Sequence, residues 1–217
     1  MKNWPRRRKF LLCLVLLLIA RLTALLIHGW QSPTPEIALR RMEKQQLIGP
    51  TEMITTLHTG NPDGCHVILG RSEHGYTVFQ YYDYGTPDHG NLFYFPKTEK
   101  ATVFSTTYRN VYQDGRQELP IYLFPEGISS VRAAMTLTIS NPEGTQTVTL
   151  EGQRPDSSFY LFHLPVEDMD SGLLRLVEWA LSKEPSGYEF TGTVELRVEF
   201  FNTSGEIVDT YSQTITK

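Results

Sequence analysis

Residues 131–140 read VRAAMTLTIS, and this stretch decides the kind of fold the chain adopts. Val131, Ala133, Met135, Leu137 and Ile139 alternate with Arg132, Ala134, Thr136, Thr138 and Ser140. Successive side chains of a strand point to opposite faces, so this period of two predicts a half-buried antiparallel strand. The same pattern continues outward. Asn141-Pro142-Glu143-Gly144 has the composition of a turn and leads into a strand over 145–151. Residues 119–124 form an apolar strand upstream. Downstream, 158–164 sends Phe159 and Leu161 to one side and Tyr160 and Phe162 to the other. A last hairpin pairs 193–201 with 206–216 across Asn202-Thr203-Ser204-Gly205.

A helix over 171–183 interrupts the series. Asp170 or Ser171 caps it, Leu173, Leu176, Val177, Ala180 and Leu181 recur at helical spacing, and Glu184-Pro185 ends it. Strands at intervals of roughly 8–12 residues resemble an immunoglobulin-like β-sandwich, here with one inserted helix, over residues 117–217. The resemblance is architectural only. The paired cysteines and core tryptophan of true immunoglobulin domains are missing, because Trp179 falls on the helix and no cysteine follows Cys65.

Ahead of the sandwich, an amphipathic helix over 34–48 opens with Thr34 as cap, Pro35 in the first turn and Glu36 at the positive helix end. Gly49-Pro50 is expected to stop it. Residues 51–112 then read as an antiparallel β-meander, with strands at 52–58, 65–70, 76–83, 91–96 and 102–109 separated by Gly-, Pro- and Asp-rich turns. The fold class expected is therefore mainly β with α+β character, built as a helix with a meander followed by a sandwich.

The net charge of −4 over 217 residues conceals an asymmetry: residues 1–30 carry +6 with no acid, and the remainder carries −10. So acidic a body repels nucleic-acid phosphates, and no nucleic-acid partner is expected. Arg6-Arg7-Arg8-Lys9 closes a basic segment, 1–9, and Phe10 to Ile27 is apolar except for Arg21 and Thr23. As a helix this run is about 27 Å long, the thickness of a bilayer core. It predicts an uncleaved single-pass signal anchor over 10–29, partnered by the lipid bilayer, with the N-terminus cytoplasmic and residues 31–217 outside. Arg21, past the midpoint, is expected to snorkel toward the far surface or to pair with an acidic group of another membrane helix.

Chemistry is harder to find. Cys65 precedes His66 on a strand, which points the two side chains apart. His58, His66 and His74 are spaced by eight, with His89 in a following turn. Neighbouring strands could gather them around a metal, giving a metal-dependent hydrolase as the alternative reading. No sequence motif fixes that geometry, and no cofactor is called for. The densest local feature is aromatic: Tyr76, Phe79, Tyr81, Tyr82, Tyr84, Phe93, Tyr94 and Phe95 lie within 20 residues. Tyr76, Tyr82, Tyr84, Phe93, Tyr94 and Phe95 would form a ligand platform if exposed on a sheet face, and ordinary cross-strand packing if not. The expectation is a non-catalytic binding module, presented to a cell-envelope polymer or a membrane-protein partner.

Overall fold

The structure, a computed structural model, describes residues 6–28, 34–58, 64–82, 90–106, 109–112, 114–182 and 191–216. Within these ranges the side chains at 6, 24–28, 58 and 82 are not described. The chain is mainly β, with three antiparallel sheets.

Helix α1 runs over Arg6–His28 and α2 over Pro35–Gln45. Thr34 caps α2 by accepting a bond from the Ile37 N–H at 3.4 Å, as a threonine before Pro35 should. The helix ends earlier than Gly49-Pro50 suggests. Leu47 takes a left-handed conformation, φ 56°, and the Ile48 N–H closes the last turn on the Glu43 carbonyl at 2.8 Å.

Strands β1 (Glu52–His58), β2 (Cys65–Arg71), β3 (Gly75–Tyr82) and β4 (Asn91–Pro96) pair in sequence order into the first sheet. The fifth strand expected in the meander goes elsewhere. As β5 (Ala101–Ser105) it pairs with β7 (Gln117–Pro125), so the sandwich begins before residue 112. The second sheet is ordered β10 (Gln153–Asp156), β11 (Phe159–Pro165), β7, β5, with β6 (Asn110–Val111) also paired to β7. The third is ordered β13 (Ile207–Thr216), β12 (Thr193–Phe201), β8 (Arg132–Asn141), β9 (Gly144–Glu151). Helix α3, Ser171–Ser182, precedes β12.

The second sheet is the middle layer, which explains the unbroken apolar run Ile121–Phe124: a strand buried on both faces has no reason to alternate. Leu119, Ile121, Leu123, Tyr160, Phe162 and Leu164 pack toward the third sheet, where Met135, Leu137, Val194, Leu196 and Val198 complete a sandwich core. Helix α3 fills this core from one side with Leu173, Leu176, Val177, Ala180 and Leu181. The intervening residues Tyr122, Phe124, Phe159 and Leu161 pack the other way, against Val67, Leu69, Tyr76, Val78 and Phe95 of the first sheet. On the far face of that sheet, Ile68, Phe79 and Leu92 receive Ala38 and Leu39 of α2. The order of layers is thus α2, first sheet, second sheet, third sheet. Each fully buried large side chain contributes about 1.5–3 kcal/mol through its transfer from water.

Among the described residues no helix is long and apolar enough to cross a membrane. The described structure therefore gives no support to the membrane-spanning anchor expected over 10–29. The side chains described on α1 are those of residues 7–23, and the apolar run of the sequence reaches beyond them to Ile27.

Candidate functional site

The sheets of the sandwich do not end together. Strand β5 is one edge of the second sheet and β13 one edge of the third. Where they diverge, an open groove of about 390 Å³ remains. Its floor is the inward face of β13, whose alternation turns Tyr211, Gln213 and Ile215 inward and Ser212 and Thr214 out. Thr102 and Val103 of β5 form one wall, Trp179 and Ala180 of α3 another, and Phe95 and Pro96 of β4, with Thr98 of the segment that follows, close it.

Every side chain of this lining is uncharged. Trp179 and Tyr211 supply aromatic surface, Thr98 and Gln213 supply hydroxyl and amide groups, and the buried Phe95 and Thr102 back the lining. The Tyr211 hydroxyl donates to Gln213 Oε1 at 3.0 Å, and burial raises the Tyr211 pKa, opposed by a hydrogen bond with Thr98. The charges beside the groove are engaged with one another. Glu178, next to Trp179, accepts from Arg109 at 2.9 Å, and Lys100 lies 3.8 Å from Asp209. Such a lining suits a neutral ligand with an apolar face and a hydroxylated edge.

The aromatic cluster picked out from the sequence mostly serves packing. Tyr76 and Phe95 are register partners on β3 and β4 that face the second sheet. Only 3% of Tyr76 and 2% of Phe95 is exposed. Tyr76 stacks on Phe124 at 4.0 Å and Phe95 on Phe104 at 4.1 Å, and Phe93 packs against the same core. Tyr94, on the opposite face of β4, is 38% exposed. Among the described residues these rings form no contiguous platform, because alternation hands Tyr76, Phe93 and Phe95 to the interface between sheets. The Tyr82 side chain and Tyr84 lie outside the described residues. Of the four whose side chains are described, Phe95 also borders the groove.

Of the histidines, two positions are brought opposite each other and a third is held apart. His58 and His66 are register partners on β1 and β2, and the His66 ring lies 6.3 Å from Tyr81. His74 is exposed in the turn beyond β2. At about 3.3 Å per residue, the strand holds it at least about 16 Å from His66, so these two cannot share an ion. The His58 side chain and His89 lie outside the described residues, and among the described residues no three His, Cys, Asp or Glu side chains gather as metal ligands. Cys65 is buried at the start of β2. Asp170 accepts from the Gly172 and Leu173 N–H groups at 2.8 and 3.2 Å, an N-cap of α3.

One polar cluster was not anticipated. Glu118 accepts from the Tyr112 hydroxyl at 2.7 Å and lies 3.0 Å from His163 Nδ1. Burial, then the bond to Glu118, pushes the Tyr112 phenol up to about 12. Compared with known proteins, the chain matches no family model, no curated protein and no solved structure.

Proposed function

We propose that this chain is a non-catalytic binding module, anchored in a bilayer through residues 10–29 with residues 31–217 outside. Its groove takes an uncharged sugar unit of a cell-envelope polymer. The observation that carries this reading is the lining of the groove. Trp179 and Tyr211 offer faces for the apolar side of a pyranose, and Thr98 and Gln213 offer partners for its hydroxyls, with no charge to favour an ionic ligand. The anchor is supported by α1, whose apolar side chains are exposed on all sides, Phe10 to 70% and Leu17 to 71%. A helix apolar all round suits lipid rather than water, and Arg6 to Lys9 would hold its start on the cytoplasmic side. Calorimetric titration of the full chain in detergent with neutral oligosaccharides tests the binding reading. Binding abolished by Trp179→Ala and Tyr211→Ala is expected. Binding that survives both substitutions, or no binding by any neutral glycan, would sink it.

A second reading rests on Arg21, which is exposed amid the apolar side chains of α1. A cation at that depth is costly unless paired, so α1 would assemble with a membrane helix that carries an acid. Cross-linking in membranes checks it: Arg21→Leu should leave insertion intact and remove the complex.

A further inference from the structure

We propose that the outer face of α2 docks on the anionic headgroups of the same bilayer that α1 enters, which rests on the anchor reading above. Ala38, Leu39 and the buried Glu43 turn inward to the first sheet. What remains exposed is Ile37, Arg40 and Lys44 on successive turns, with the half-buried Arg41 among them and Leu47 just past the helix end. Ile37 is 46% exposed and Leu47 is 94% exposed.

Leu47 is the telling residue. It occupies the left-handed position that ends the helix, φ 56°, where glycine or asparagine is the ordinary choice. Its side chain contributes almost no burial to the fold, so the apolar surface there lacks an internal purpose. Charge points to the partner. Residues 31–217 carry −10, yet this face holds exposed Arg40 and Lys44 and half-buried Arg41, with Glu36 as the exposed acid of the helix. Arg40 reaches Glu43 at 2.8 Å while remaining 45% exposed. Apolar side chains flanked by cations with long stems are the signature of a helix lying in a headgroup layer.

Chain length brings this face to the surface. Five residues, 29–33, separate α1 from Thr34. Fully extended they span at most about 18 Å, so α2 cannot leave the vicinity of the bilayer into which α1 inserts. Docking through α2 would lay the three sheets parallel to the membrane. With sheets about 10 Å apart, the groove between the second and third sheets would stand roughly 30 Å above the headgroups, facing a polymer rather than lipid.

The test uses the full chain in a Cys13→Ser background, reconstituted into phosphatidylcholine vesicles with a minority of phosphatidylglycerol and a headgroup-level nitroxide quencher. An environment-sensitive fluorophore is placed by Leu47→Cys, or by Ser212→Cys on the outward face of β13. The Leu47 probe is expected to shift to the blue and to be quenched, while the Ser212 probe stays bright. Arg41→Glu with Lys44→Glu, or vesicles of phosphatidylcholine alone, should weaken the quenching. An unquenched Leu47 probe on a chain that still floats with the vesicles overturns the docking and leaves the anchor standing. A chain that fails to float removes both.

Discussion

Glu43 joins α2 to the first sheet, and its replacement by alanine should cost more than its one visible ion pair suggests. The carboxylate is buried and accepts the Thr51 N–H at 3.0 Å together with the Thr51 hydroxyl. Its other oxygen meets Arg40 at 2.8 Å. The three contacts are not equal. Arg40 is 45% exposed, and solvent-screened pairs of this kind contribute at most about 1 kcal/mol. The Thr51 hydroxyl has a second partner in Thr77 Oγ1 at 3.0 Å, so it loses little. The Thr51 N–H has no such substitute, and a buried donor left unpaired costs about 1–3 kcal/mol. The expected loss for Glu43→Ala is therefore about 2–3 kcal/mol. For a chain of this size that lowers Tm by about 5–10 °C. Glu43→Gln retains an acceptor for the amide and should lose about 1 kcal/mol, and Arg40→Ala no more. Thermal unfolding of the three variants by circular dichroism ranks them. If Glu43→Ala falls no further than Arg40→Ala, the buried amide bond is not what holds α2 down.

Further outcomes follow from neighbouring contacts. A Cβ at Gly70 would overlap the buried hydroxyls of Thr51 and Thr77, so Gly70→Ala should destabilise by about 1–3 kcal/mol. Because both sites act through Thr51, its effect should combine non-additively with Glu43→Ala in denaturant unfolding. Tyr76→Ala removes a ring stacked between two sheets and should cost about 3–5 kcal/mol, against about 0.5 for Tyr94→Ala, as chemical denaturation would measure. Tyr112 is neutral in the fold up to about pH 12, whereas in the unfolded chain it ionises near 10. Its stabilising effect is thus intact below about pH 10 and lost as pH rises toward 12, and Tyr112→Phe should flatten that alkaline decline in a pH series of unfolding midpoints.

Local pattern and long-range assembly were not equally legible in the sequence. The alternation of 131–140 became β8, and the turn Asn141-Pro142-Glu143-Gly144 became its hairpin to β9, because both depend on residues adjacent in the chain. The sheet to which a strand belongs is a different question. Turn composition announces that the chain reverses, but not whether the next strand rejoins the same sheet, and β5 left the meander to pair with β7. The same blindness hid the fate of the aromatics. Tyr76 and Phe95 look like a surface when the first sheet is considered alone, and become core once the second sheet covers it. The groove escaped notice because β4, β5, α3 and β13 each contribute only a few residues to it, across more than a hundred positions. A signal was present in Tyr211 and Gln213 on the inward face of the last strand, aromatic and polar where a closed sandwich would place aliphatic residues.

Nuclear magnetic resonance of the full chain in micelles, titrated with neutral oligosaccharides, tests the groove most directly. Shifts confined to Trp179, Tyr211, Gln213 and their neighbours, and absent in Trp179→Ala, are predicted. Resonances that stay still throughout, or that move only on surfaces remote from β13 and α3, would contradict it.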